Sequence, residues 1–170
     1  KETDYARIAF AQHKTNKNCY FAILYLKENH HSQRKPKIPY LSEWRDCIKY
    51  EALCEGDDYW IHPQKLQMQV DFMEDNMDYS LCFHGANIKL EAGIDPNRDG
   101  RVGLYKNLEK REYSGAEILR NWTIPTASVL FRKETNRIMD NRFIYGDTPL
   151  FLSCAEHGKL FCICKEPMSV

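Results

Sequence analysis

The stretch Glu55-Gly56-Asp57-Asp58-Tyr59-Trp60 directly follows an apolar run, Tyr50 to Cys54, and so sets three carboxylates within four residues at the end of a short buried strand. Crowded like charges in such a place are costly unless a cation or a set of hydrogen-bond donors takes them up. Hard divalent cations favour oxygen ligands of this kind. The stretch is therefore a candidate metal or phosphate site. Gly56 permits a sharp turn and close approach of the backbone to a ligand, and Tyr59 and Trp60 offer flat faces for a base or a sugar. An acidic surface turn capping the next helix is the competing reading.

The 170 residues, 43% of them hydrophobic, suffice for one sizeable core, so the length predicts a single domain over 1–170. Lys and Arg number 24 and so do Asp and Glu, leaving zero formal charge and no global field to draw nucleic acid or an anionic membrane. A phosphate site would have to be local. The seven cysteines lack a repeated C-x-x-C spacing and sit mostly in apolar runs, which reads as reduced thiols of a cytoplasmic chain. No apolar run approaches a membrane span.

Around the acidic turn, the pattern alternates helices with strands. Tyr5, Ile8, Ala9 and Gln12 have helical spacing over 4–13, followed by a polar turn and an apolar strand from Cys19 to Leu26. The segment from Lys27 to Pro39, with four Lys or Arg and two histidines, reads as a basic loop. A short helix over Leu41 to Ile48 leads into the strand that ends at the acidic turn. His62-Pro63 opens a helix with Leu66, Val70 and Met73 as its buried stripe. Tyr79 to Leu90 reads as a long strand carrying His84, a ligand candidate that is more simply a core histidine. Residues 91–112 form a polar excursion. Within it, Asp95-Pro96-Asn97-Arg98-Asp99-Gly100 copies the first half of a calcium loop, but Lys106 occupies the closing twelfth position.

Ser114 and Glu117 form a capping box before a short helix through Arg120. A strand follows over Ala127 to Phe131. Asp147 sits where a helix begins, Leu150 to His157, with Gly158 closing it. Leu160 to Cys164 is the last strand, with Cys162 and Cys164 on one face. The alternation makes the fold class α/β.

Several separated motifs, in order, resemble the family 2 glycosyltransferases of bacteria. They are Ala52 to Trp60, then Pro63, Lys65 to Gln67, Gln69 to Phe72 and Tyr79 to His84. Ile118 to Trp122, Pro125 to Ser128, Phe131-Arg132 and Arg142 to Leu150 complete the series. The resemblance covers roughly 20–170. It implies a GT-A fold, an α/β nucleotide-binding sheet, here expected to lack the family's N-terminal nucleoside-gripping segment. The implied activity moves a sugar from a nucleotide donor, a UDP-sugar, to a hydroxyl of a glycan or lipid-linked acceptor, with inversion, in the making of bacterial surface glycans. Mg²⁺ or Mn²⁺ would be held at Asp57, in a motif reading Glu55-Gly56-Asp57 with Asp58 following. Glu55, Asp57 and Asp58 are the implied donor-binding residues, and Glu55 departs from the family's usual Asp. Asp147 is the implied acceptor-activating base, although Gly146 replaces the acid that precedes it in the family. Trp60 and Trp122 are candidate walls for the acceptor. The implied setting is the cytoplasm, with peripheral contact at the inner face of the membrane where the acceptor is lipid-linked. A non-catalytic binding domain derived from the same fold is the alternative, motivated by the departures at Glu55 and Gly146. A calcium-stabilised binding module built on Asp95 to Gly100 is a third.

Overall fold

The computed structural model describes residues 2–30, 32–33, 35, 38–95, 104–105, 107–121, 123–135 and 146–170. The chain divides into two compact units, Lys1–Ile48 and Lys49–Val170. In the first, β1 (Ala6–Gln12) and β2 (Tyr20–Leu26) form an antiparallel hairpin in register from Ala6 opposite Leu26 to Gln12 opposite Tyr20. A helix over 4–13 is thus corrected to a strand. Ala6 and Ile8 are buried while Arg7 between them is exposed, so the period is two, and pairing with the apolar 20–26 run overrides the helical spacing. A 3₁₀ turn, Ile38–Leu41, and the single-turn α1 (Ser42–Arg45) complete this unit, with Trp44 stacked on Phe10 at 5.1 Å.

The second unit is a mixed five-stranded sheet in the order β3 (Tyr50–Ala52), β6 (Leu130–Arg132), β4 (Tyr79–Ala86), β7 (Lys159–Ser169), β5 (Glu112–Tyr113). β4 and β7 run parallel, and the other pairings are antiparallel. Alternate side chains supply the two faces. Leu81, Phe83, Phe131, Leu160 and Cys162 pack with α3 (Gly115–Arg120) and α4 (Asp147–His157) through Ile118, Leu150, Phe151 and Cys154. Cys82, Leu130 and Ile163 pack with α2 (Lys65–Asp75) through Met73, Val70 and Phe72. This is mixed α/β, with four short helices among the described residues. None of these is long and apolar enough to cross a membrane.

Three local expectations are corrected. Against the eight residues of β4, β7 lays eleven, and register shifts fall at Phe83/His84, His84/Gly85 and Gly85/Ala86. The shift that sets Phe83 opposite Cys162 but His84 opposite Cys164 inverts the alternation, so Cys164 packs on the α2 face and Cys162 on the other. All seven thiols are free. The inward stripe of α2 is Lys65, Gln69 and Met73, with Leu66 41% exposed. Gln69 is drawn in because its Nε2 donates to the carbonyls of Ser128 (2.8 Å) and Cys82 (3.3 Å), bonds that an apolar residue could not make. Residues 126–128 are a 3₁₀ turn rather than strand, since the Ser128 hydroxyl donates to the Pro125 carbonyl at 2.6 Å.

The helix ends follow local chemistry more closely. Ser114 and Glu117 make the reciprocal capping box of α3. α4 begins at Asp147, three residues earlier than the apolar pattern suggests, and its first turn accommodates Pro149. Gly158 ends it in extended backbone (φ 174°), and the glycine is needed for close approach: a Cβ would lie 2.9 Å from that of Ser80.

Candidate functional site

β3, β4 and β7 all point their carboxyl ends at one cleft of about 710 Å³, the place where open α/β sheets take ligands. Its walls are the acidic turn (Glu55, Asp57, Asp58, Tyr59), the extension of β4 from Ala86 to Glu91, Leu104 and Tyr105, the segment Pro125 to Ala127, and Ser169 with Val170. The walls are tied by backbone. Tyr59 and Val170 exchange two hydrogen bonds of 3.0 Å, the Ile61 amide donates to Met168, and the Asn87 amide donates to Ser169. The expected strand over 79–90 thus ends at Ala86, and the following four residues face the cleft instead of a sheet neighbour.

The acidic turn is closed by the Asp58 amide donating to the Glu55 carbonyl at 3.3 Å. Partial burial raises the Glu55 carboxyl above its ordinary value, and the charges of Asp58, Asp57 and Asp147 push it further. Burial and then the charge of Asp57 raise Asp58 in the same direction. Among the described residues no ion pair reaches Glu55, Asp57 or Asp58. Lys89 is the one basic side chain among the described lining residues, which include four carboxylates with Glu91. Gly56 does not take a left-handed φ, and its Cβ position looks into open space. Among the described residues no three His, Cys, Asp or Glu side chains converge to hold a metal by themselves. The turn's hard oxygen donors suit an ion whose shell is completed by a ligand's own oxygens.

Asp147 is the first residue of α4, with Gly146 in the cap position. Its Oδ1 accepts from the Thr148 amide at 2.8 Å and its Oδ2 from the Thr126 hydroxyl at 3.1 Å. It lines a recess of about 140 Å³ with Ile118, Asn121, Thr123 and Phe151, whereas Thr126 lines the main cleft. The Asp147 charge is nevertheless felt at Glu55.

Trp60 lies beside the cleft without lining it: its Nε1–H donates to the Ala127 carbonyl at 2.9 Å, and the Lys65 ammonium sits 4.3 Å from a ring centroid. Lys65 is 1% exposed, donates to Gln69 Oε1 at 2.8 Å, and is pulled down to about 8 by burial. His84 is fully buried, with Nδ1 2.7 Å from the Gly85 carbonyl and Nε2 unpartnered, and burial lowers it to about 4. It is a neutral core histidine. Trp122, residues 96–100 of the calcium-like loop, and Lys106 lie outside the described residues.

Sequence reasoning brought Glu55, Asp57 and Asp58 to the cleft but missed Thr126, Lys89 and the Ser169-Val170 wall. For Thr126 the available signal was the turn chemistry of Pro125-Thr126-Ala127-Ser128.

No protein-family model matches the chain. An uncharacterized protein of Mycobacterium tuberculosis, Rv1520, and an uncharacterized protein of Mycobacterium bovis are each 34% identical to it over 86 residues. That stretch is 51% of this chain and 23% of each relative, so the match spans about a quarter of the relatives' length.

Proposed function

We propose that the chain forms the metal-and-acceptor part of a GT-A-type, inverting glycosyltransferase that moves a sugar from a UDP-sugar to an acceptor hydroxyl. The resemblance to the family 2 enzymes supplies the reaction class. The single observation that carries it in the structure is the acidic turn lining the cleft, with two carboxyls raised by burial and mutual repulsion and no ion pair to any of its carboxylates among the described residues. Mg²⁺ or Mn²⁺ held at Asp57 would supply Lewis-acid neutralisation of the diphosphate leaving group.

The remaining chemistry falls to the chain. The Asp147 carboxylate receives the proton of the acceptor hydroxyl as that oxygen bonds to the anomeric carbon. The bond from that carbon to the diphosphate breaks, and its electron pair leaves with UDP. Two donors, the Thr148 amide and the Thr126 hydroxyl, hold the Asp147 carboxylate in place. Tyr59 and Tyr105 give the cleft aromatic faces for a base or sugar. The acceptor proposed with this reading is a glycan or a lipid-linked sugar, and the process is surface-glycan synthesis, both on the resemblance alone.

Calorimetric titration of Mn²⁺ with UDP tests the reading. Asp57→Asn is expected to weaken binding tenfold or more, roughly the loss of one charge-assisted ligand. Equal affinity in both proteins would remove the metal assignment. One observation favours a non-catalytic binding domain instead: Asp147 lines its own recess rather than the cleft wall. Binding of UDP without any turnover by the polypeptide as encoded would decide for that reading.

A further inference from the structure

Thr126 is the side chain through which the cleft and the Asp147 recess meet. It lines the first, and its hydroxyl donates to the Asp147 Oδ2 of the second at 3.1 Å. The backbone that carries it is held from three directions. Trp60, at the end of the acidic turn, donates to the Ala127 carbonyl at 2.9 Å. Gln69 of α2 donates to the Ser128 carbonyl at 2.8 Å and itself accepts from Lys65. Ser128 donates to the Pro125 carbonyl at 2.6 Å. The other bond to Asp147, from the Thr148 amide, is local to the helix start and carries no information about where the acidic turn lies.

We propose that Thr126 is a positioning residue: its hydroxyl fixes the Asp147 carboxylate against the acidic turn, so that base and donor site keep one geometry. The inference rests on the base role proposed for Asp147. With only the Thr148 amide holding it, the carboxylate is free to turn about its last torsion, and small misplacements of a reacting group are costly in rate. Oδ2 accepts one hydrogen bond from Thr126 and keeps a second lone pair for the acceptor proton. The buried Lys65 and Gln69 and the more exposed Trp60 thereby gain a purpose, since together they hold the segment on which Thr126 is mounted.

The test uses Thr126→Val, which keeps the shape and removes the donor, and Thr126→Ser, which restores it, in the polypeptide as encoded. UDP release from UDP-glucose, UDP-galactose and UDP-N-acetylglucosamine gives kcat and KM. The ¹³C carboxyl resonance of Asp147 is followed in parallel, a readout that needs no turnover. The expected result is a kcat about tenfold lower for Thr126→Val, with KM for the donor within about twofold, and recovery in Thr126→Ser. The carboxyl resonance should move in the Val variant and return in the Ser variant. Parental kcat in Thr126→Val, while Asp147→Asn abolishes turnover, overturns the positioning role and leaves the proposed function intact. Parental kcat in Asp147→Asn overturns both. If Thr126→Val does not fold, an Asp147 resonance in Thr126→Ala unchanged from the parent overturns the inference.

Discussion

The carboxylates of the candidate site stand in two different environments. Asp147 accepts two hydrogen bonds, one to each oxygen, at the start of an eleven-residue helix. Glu55, Asp57 and Asp58 are crowded together, and burial and repulsion raise Glu55 and Asp58 above their ordinary values. One carboxylate is furnished with donors that hold a position, while the others lack a positive partner among the described residues. Crowded oxygens with no ion pair suit the cation proposed for the acidic turn, and a carboxylate anchored at both oxygens suits the fixed position proposed for Asp147.

Asp147→Asn is expected to have the largest effect. The amide oxygen still accepts from Thr148, so stability is expected to fall by less than about 1 kcal/mol, measured by thermal melting. UDP release in the polypeptide as encoded should fall about a hundredfold or more, because an amide cannot take the acceptor proton. A folded variant with parental turnover would reduce Asp147 to a helix-start residue and make the two environments irrelevant to chemistry.

A smaller effect comes from Lys65, a charge buried away from both carboxylate groups and held at about 8. As pH falls through the ordinary 10.5 the unfolded chain takes up this proton, and the folded chain does so only through about 8. The penalty on the fold therefore grows across that window and is complete below pH 8. Lys65→Met should raise stability at pH 7 by about 1–2 kcal/mol, net of a Gln69 oxygen left one donor short, and the gain should fade above pH 10.5. Melting at the two pH values separates a penalty of burial from a loss of packing against Trp60.

At the acidic turn the expected change is smaller again. A carboxyl whose folded value is raised is neutral in both states at low pH, and it destabilises the fold as pH rises through the unfolded and then the folded value. Glu55→Gln with Asp58→Asn should therefore stabilise the protein at neutral pH and change nothing near pH 3. Both groups meet solvent, so the gain is less than about 1 kcal/mol. Millimolar Mn²⁺ with UDP should stabilise the parent and this double variant, which keeps Asp57, and not Asp57→Asn. Stabilisation of Asp57→Asn by Mn²⁺ and UDP would place the ion elsewhere.

What the sequence determined by itself was local. A strand ending in an acidic turn near Glu55, a capping box at Ser114 and Glu117, a helix starting near Asp147 and the α/β alternation all follow from neighbours within one turn or one strand. The tertiary structure decided whatever depended on partners far along the chain. The helical spacing over 4–13 yielded to a strand once an apolar partner strand lay alongside. Cys164 changed faces because β7 bulges against β4, and Gln69 turned inward to donate to the carbonyls of Cys82 and Ser128. Thr126 and Asp147, twenty-one positions apart, meet only because a 3₁₀ turn and a helix start are brought together by the sheet between them. Periodicity reports which face of an element is apolar, whereas bulges and carbonyl acceptors are properties of the neighbour, which no local pattern encodes.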